Sequence, residues 1–413
     1  MRFACGFRFW CLAKGSDINQ NILYMIRLPK RRGVAIARSS GAAVPLLASL
    51  LILVAGLRPG GSAEAMQSRV PELTLTEVFR IGDEDAADGL LLGRPRDVAV
   101  DSRGRLYVAD SGWDGLLVFS DSGVPEGVIG RAGKGPGEFE TVWSVHIDAQ
   151  DSVYVWDSSL DRITIFSPDE HEYVHSFTVQ YDRMLPGGFV GAIDRGFLIR
   201  FFGIPGWGLP ASMENLVEVK LLDWSGAAIK DSVAYLPRKE MLALTTGGAL
   251  WGRDLPFAPA PHFVLALDQT LYYGSSSAVR LMRTAIDGAS NEAIEVSHIP
   301  VSISKAERDR IIQEEEERAF KRMLRDRLPE RKPAFVRIVP DDEGRLWIAL
   351  SRAEKVTTVE WLVVDSTGTV VARTELPEYV RLYAVREGRA YGRLTSPETD
   401  VPMVVAWAID FSE

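Results

Sequence analysis

Apolar and polar residues alternate with a period of two through residues 93–139, in short runs at 97–101, 105–110, 116–119 and 127–130. Tight-turn signals of the Asp-x-x-Gly kind separate the runs. Because a period of two places successive side chains on opposite faces of a strand, four such runs predict one four-stranded antiparallel meander. Residues 141–180 repeat it. Val98-Ala99-Val100-Asp101 aligns with Val145-His146-Ile147-Asp148, and Leu106-Tyr107-Val108-Ala109-Asp110-Ser111 aligns with Val153-Tyr154-Val155-Trp156-Asp157-Ser158. The third run, Leu116-Leu117-Val118-Phe119, aligns with Ile163-Thr164-Ile165-Phe166. A four-stranded unit recurring about every 45 residues is the signature of a propeller blade, and near-continuous apolar runs suit strands buried on both faces.

Further along, residues 188–236 predict a third blade interrupted by a Gly/Pro loop, 261–303 a fourth and 335–376 a fifth. Residues 379–410 hold only three strand-like runs, and the lone run LTLTEVFRIG at 73–82 supplies the missing fourth. Sharing the last blade between the two ends of the domain closes the ring and removes exposed strand edges. The expected fold is therefore all-β: a six-bladed β-propeller over residues 73–413, closed by an N-terminal strand, with one helical insertion at about 304–331. Ser304 and Glu307 form a capping box, with Glu314/Arg318 and Glu317/Lys321 as i,i+4 pairs and Pro329 and Pro333 as the stop. Ile312, Ala319, Phe320, Met323 and Leu324 make a rough apolar stripe, which serves a lid or partner surface or packs on the propeller rim. Residues 239–259, between the third and fourth blades, read as an irregular loop packed on one face.

The amino terminus lies outside this pattern. Arg27, Lys30, Arg31, Arg32 and Arg38 precede an apolar run at 41–57, and Ala63-Glu64-Ala65 has the small-x-small form of a signal-peptidase site. Residues 25–65 are thus expected to be an export signal or, uncleaved, a membrane tether formed by 41–57; residues 66–72 are a linker. Residues 1–24 resemble neither signal nor fold and are expected to be an over-long start. With the nine Lys/Arg and two Asp/Glu of residues 1–65 set aside, the remainder carries about −16 against −9 for the whole chain. Such a surface repels nucleic-acid phosphates and excludes DNA or RNA as the expected partner. Both cysteines, Cys5 and Cys11, fall in the first 24 residues, so the exported part has no disulfide, thiolate metal ligand or thiol nucleophile. The expected location is periplasmic or extracellular.

The phrases DVAVDSRGRLYVADSG and SVYVWDSSLDRITIF, with the Gly-rich loop GRAGKGPGEF, resemble the NHL repeat of six-bladed propellers of the NHL/TolB-like type. The likeness is good over residues 94–166 and patternwise beyond. Where the repeat usually carries Asn before its third strand, this chain has Trp113-Asp114 and Leu160-Asp161, and the usual Arg is kept as Arg162 but is Gly115 in the first blade.

Candidate catalytic chemistry is thin. Gly133-Lys134-Gly135 lacks the Ser/Thr and following helix of a phosphate loop and reads as an inter-blade connector. Among His146, His171, His175, His262 and His298, no pair has i,i+4 spacing on a plausible helix, His171 and His175 falling around an Asp/Glu-rich turn, and only His262, at a strand start, could face a channel mouth. Asp101, Asp148 and Asp341/Asp342 recur at first hairpins as turn formers. No Glu-Gly-Pro lactonase segment and no Gly-x-Ser-x-Gly elbow appears.

What remains is position. Inner-strand starts and the loops between second and third strands share one propeller face, where ligands and partners usually bind. This gathers Arg96, Asp97, Trp113, Asp114, Trp143, Asp161, Arg162, Trp207, His262, Arg280, Arg352 and Arg381 as candidate binding residues. Aromatics mixed with charges suit a protein, peptide or glycan. The expectation is a non-catalytic binding or interaction module without cofactor. Two alternatives stand beside it: a lactonase-like hydrolase or lyase holding calcium or zinc in the channel, and a structural subunit of an envelope complex.

Overall fold

A computed structural model of the chain describes residues 24–27, 70–83, 90–203, 209–246, 249–286 and 291–411. Six four-stranded antiparallel sheets follow one another along it. Blade 1 is Pro95–Val100, Leu106–Asp110, Leu116–Phe119 and Pro125–Ile129. Blade 2 is Val142–Ile147, Val153–Asp157, Arg162–Phe166 and Tyr173–Thr178. Blade 3 is Met184–Ile193, Gly196–Gly203, Leu216–Leu222 and Ala228–Pro237. Blade 4 is Pro261–Leu265, Thr270–Ser275, Arg280–Ala285 and Asn291–Glu295. Blade 5 is Phe335–Pro340, Leu346–Leu350, Thr358–Val364 and Val370–Pro377. Blade 6 is Val380–Arg386, Arg389–Thr395 and Pro402–Phe411, completed by Leu73–Ile81 from the other end of the domain. The six first strands contact one another in a closed ring, each touching the next and the sixth touching the first. The chain is a six-bladed β-propeller, closed as its sequence pattern predicts.

One aromatic side chain per blade holds neighbouring blades together. In five blades it stands at the same position of the second strand and faces the following blade (Tyr107, Tyr154, Tyr272, Trp347 and Tyr391), whereas Phe197 of blade 3 faces back onto blade 2 beside Tyr154; all six are buried. Each removes on the order of 150–250 Å² from water, an upper estimate of roughly 4–6 kcal/mol per side chain. The hairpin before it is tied by the turn aspartates. Asp341 is buried and accepts from the Glu343 and Arg345 amides, from Arg345 Nε at 2.7 Å and from Trp347 Nε1 at 3.1 Å. Asp101 does the same with the Arg103 and Arg105 amides, Arg105 Nε and the Tyr107 hydroxyl. Asp148 does so with the Gln150 and Ser152 amides and the Tyr154 hydroxyl. One carboxylate therefore fixes both the turn and the rotamer of the core aromatic.

Four details differ from expectation. The predicted helix over 304–331 is two helices, Lys305–Glu314 and Arg318–Arg327. The break falls in the four-glutamate run 314–317, where Glu315 turns inward to pair with Arg253. The i,i+4 pairs Glu314/Arg318 and Glu317/Lys321 do not form: Glu314 pairs with Arg310, Glu317 caps the second helix through the Ala319 amide, and Lys321 donates to the Gln313 carbonyl. Only half of the capping box exists. Ser304 accepts from the Glu307 amide, while the Glu307 carboxylate is claimed by buried Lys332 at 2.7 Å. Lastly, the supposed loop at 239–259 contains a hairpin, Met241–Thr246 with Ala249–Asp254. Leu242, Leu255 and Ala258 pack there against Phe320, Leu324 and Leu328, which seats the helices on this insertion.

Tyr24–Arg27 pairs with Ala249 to Gly252 of the same hairpin. Apart from 24–27, residues 1–65 lie outside the described residues, so the readings of 1–24 as an over-long start and 25–65 as an export signal fall almost wholly there.

Candidate functional site: the mouth of the channel

Strand pairing fixes which inner-strand residues stand at one level. In five blades the residue two beyond the core aromatic (Ala109, Trp156, Gly274, Ala349 and Arg393) faces one partner on the first strand. Those partners are Asp97, Ser144, His262, Arg337 and Arg381; in blade 3, where Phe189 and Ile199 face blade 2 instead, Arg200 opposite Gly188 stands on the corresponding face. They form one ring of side chains near the start of the inner strands, at the end of the channel where the inter-blade connections lie. Bulges at Arg96, Trp143 and Val336 sit one residue nearer that mouth, in blades 1, 2 and 5. A bulge re-aims the side chain it inserts.

Neighbouring blades supply the contacts within the ring. Asp97 accepts from its neighbour Val98 and, at 3.3 Å, from the Val145 amide of blade 2. The His262 ring packs on Phe335 of blade 5 with centroids 4.8 Å apart. The Arg337 guanidinium lies 4.5 Å from the Tyr383 ring centroid of blade 6, and Arg381 lies 5.6 Å from the same ring. Arg96 spans from Ser111 to the Trp143 ring of blade 2, at 4.7 Å. Arg200, on the second strand of blade 3, reaches inward because Gly187 and Gly188 offer no Cβ to block it. It donates to the Gly187 carbonyl at 2.6 Å, and a Cβ on Gly188 would stand 3.1 Å from its guanidinium.

The electrostatics follow from confinement. These side chains keep partial contact with the channel yet are surrounded by protein, so charge is poorly solvated. Burial pushes the Asp97 carboxyl up to about 6, countered in part by Arg337, the Val145 and Val98 amides and Arg381. Burial pushes His262 down to about 3, and the positive fields of Arg337, Arg200, Arg381 and Lys239 push the same way. Burial lowers Arg337 to about 9, with the like charge of Arg381 adding to the effect. At neutral pH the ring holds a neutral imidazole, one carboxylate and at least two guanidinium groups. Neither Arg337 nor Arg381 makes an ion pair among the described residues, and Arg337 Nε is buried without a hydrogen-bond partner.

The sequence-named candidates separate accordingly. Asp97, His262 and Arg381 share the ring, and Arg96 with Trp143 forms its upper edge. Trp113 donates to the Leu91 carbonyl and packs in the core between blades 1 and 6; Asp114 beside it is exposed. Burial raises Asp161 to about 6 in a left-handed turn, where it accepts from Tyr181. Arg162 is buried and donates to the Lys134 and Glu138 carbonyls, holding the Gly-rich connector. That connector is also closed from within, since Gly135 donates to the Glu138 carboxylate at 2.8 Å. Arg352 is consumed by the Ala353, Glu354 and Val356 carbonyls and by Glu378. Arg280 is exposed beside Glu295 of the outermost strand, away from the channel. Trp207 lies outside the described residues. The sequence reading missed Arg337, Arg200 and Tyr383. Arg337 had a signal, for VRIVPDDEGRLW aligns on DVAVDSRGRLY and sets Arg337 on Asp97.

A second cavity, of about 120 Å³, opens at the opposite end between the first hairpins of blades 2, 3 and 4, lined by His146, Asp148, Tyr154, Asp194, Trp224 and Gln269 among others. Its polar groups mostly satisfy one another: Asp194 and Gln269 exchange two hydrogen bonds, and Asp148 takes the Tyr154 hydroxyl. Among the described residues no three His, Cys, Asp or Glu side chains form a metal-holding group, and no helix is long and apolar enough to cross a membrane.

A family described as a 6-bladed beta-propeller matches residues 85–185. The chain is similar to a Bacteroides fragilis protein described as exported, at 11% identity over 83% of this chain and 96% of that one, with a TM-score of 0.49. It is also similar to virginiamycin B lyase from Staphylococcus aureus, at 11% identity, 82% and 99% coverage and a TM-score of 0.39. A gluconolactonase from Xanthomonas campestris matches at 14% identity, 85% and 98% coverage and a TM-score of 0.40. No curated protein matches the chain.

Proposed function

We propose that the chain is an exported propeller of the NHL/TolB-like kind that works as a non-catalytic binding module, taking part of a protein, peptide or glycan into the mouth of its channel. The observation that carries this reading is the mouth itself. Asp97, His262, Arg337 and Arg381 meet there at one level, below the Arg96–Trp143 pair, on the rigid innermost strands. An aromatic face beside charged groups is the usual composition of a recognition surface. Export is supported by the basic, apolar and small-residue order of residues 25–65, and the acidic surface disfavours nucleic acid. A calcium or zinc ion at this level would meet one carboxylate, one imidazole and the guanidinium groups. That donor set favours an anion over a cation.

Capture on an array of peptides and glycans tests the reading, with the Arg96→Ala/Trp143→Ala variant as the control. A ligand held by the parent and released by the variant supports it. A parent that captures nothing on the array, or a variant that captures equally, rejects the mouth as the binding face. Mass spectrometry of the protein from its host checks export, with Met66 as the expected first residue.

A further inference from the structure

We infer that the mouth of the channel is an oxyanion receptor, in which Arg337 and Arg381 take a carboxylate, sulfate or phosphate group carried by the bound molecule. This rests on the binding-module reading and names the chemistry of the occupant. Three observations lead to it. First, the ring pools guanidinium groups in an otherwise acidic protein of net charge −9. Confined charges of one sign are costly unless paired, and they focus a strong field on whatever enters.

Second, the carboxylate in the ring leans away from them. Asp97 belongs to blade 1 and turns its oxygens to the Val98 and Val145 amides, towards blade 2, while Arg337 and Arg381 stand on blades 5 and 6. Third, Arg337 is held in place without being satisfied. Its guanidinium rests on Tyr383 at 4.5 Å, and its Nε is buried and unpartnered. A guanidinium resting on an aromatic ring is held in place while its Nη donors stay available, and these can take a planar or tetrahedral oxyanion in a bidentate manner. Arg381 lies 5.6 Å from the centroid of the same ring, and its like charge is the strongest that acts on Arg337, so the two groups stand close together. His262 is kept neutral by its surroundings and serves as a hydrogen-bonding wall.

The test is thermal unfolding of the full exported protein with glucuronate, inorganic sulfate or inorganic phosphate. Chloride at matched ionic strength and glucose serve as controls. At ten times its Kd, at least one oxyanion is expected to raise Tm by about 2 °C with saturation, and chloride and glucose to do nothing comparable. The three arms separate a carboxylate from a sulfate or phosphate preference. Arg337→Gln should abolish the shift and Arg337→Lys should keep part of it. Asp97→Asn, which removes the competing negative charge, should lower Kd about threefold or more. Oxyanions that act no better than chloride on the parent, a shift that survives in Arg337→Gln, or an Asp97→Asn variant that binds more weakly would overturn the inference. The two failures are distinguishable. A captured array ligand that Arg337→Gln still holds sinks the oxyanion receptor and leaves the module; a parent without array ligands but with a saturable sulfate shift does the reverse.

Discussion

The guanidinium of Arg337 stacks on Tyr383 of the neighbouring blade, 4.5 Å from the ring centroid, with its Nε buried and unpartnered. The cation–π contact returns only about 1–2 kcal/mol, less than the cost of confining an unpaired cation. Arg337→Met, which keeps the apolar stem over the ring, should therefore stabilise the ligand-free protein by about 1 kcal/mol. Urea unfolding in low-salt chloride buffer reads this directly. A loss of stability would mean that the ring needs the charge for its own cohesion.

Protonation in the ring runs in opposite directions for the two members that titrate below neutral pH. Asp97 titrates at about 6, above an ordinary carboxyl, so between roughly pH 4 and 6 the folded state holds a proton that the unfolded chain releases. Its contribution falls as pH rises through that window. His262 titrates at about 3, below an ordinary imidazole, so the unfolded chain is the better proton binder up to about pH 6.5 and this contribution grows with pH. Asp97→Asn removes the falling part alone. Its stability should climb more steeply than the parent's between pH 4.5 and 6.5, by up to about 2 kcal/mol. Asp161 and His146, also shifted, are common to both proteins and cancel in the difference. Parallel curves for the two proteins would show that Asp97 is not desolvated.

The turn carboxylates carry more of the fold than their loop positions suggest. Asp341 is buried and satisfies two amides, Arg345 Nε and the indole N–H of Trp347. Asp341→Ala would strand the buried indole donor and leave Arg345 without this partner, and should cost roughly 3–5 kcal/mol in chemical denaturation. Asp341→Asn keeps an acceptor and should cost distinctly less. Equal effects would place the stabilisation in charge alone.

This part of the molecule was legible in the sequence because its determinants are local. An Asp-x-x-Gly turn, an aromatic three residues after it and a period of two all lie within about a dozen residues. The two-residue signal Gly247-Gly248 of the 241–254 hairpin was equally local and went unread amid the Leu-rich run. The helix break was not local: Glu315 leaves the helical pattern to meet Arg253 on that distant hairpin. The site divides the same way. Asp97, His262 and Arg381 were found from their places at strand starts, whereas Arg200 enters the channel from a second strand across Gly188. Arg162 and Arg352 were misread as available because sequence does not show the backbone carbonyls that occupy them.

Gly188 has φ +136°, in the region that favours glycine, and a Cβ there would meet the Arg200 guanidinium at 3.1 Å. Gly188→Ala should cost about 1–2 kcal/mol through backbone strain and push Arg200 off the channel wall. Since Arg200 is one of the positive groups that depress His262, the His262 titration followed by NMR should move upward in this variant. An unmoved titration would show that Arg200 does not reach the ring.

Closure of the ring gives the last prediction. Leu73–Ile81 pairs with Pro402–Phe411 along its length, from Leu73 opposite Phe411 to Ile81 opposite Val404, with one bulge between Glu77 and Phe79. Leu73 packs in the core between blades 5 and 6, and Ile81 in the core between blades 6 and 1. Deleting residues 73–82 would remove both anchors and bare the backbone donors and acceptors of a ten-residue strand whose centre is buried. An unpaired, flat, apolar edge pairs readily with another copy. The deletion should therefore cost more than the two lost side chains and turn the protein from a single species into aggregates or edge-paired dimers on size-exclusion chromatography. A peptide of residues 70–83 added in trans should restore the single species, because the edge it fills is already formed by blade 6. A deletion protein that stays monomeric and keeps its thermal transition would show that the first strand is ornament rather than closure.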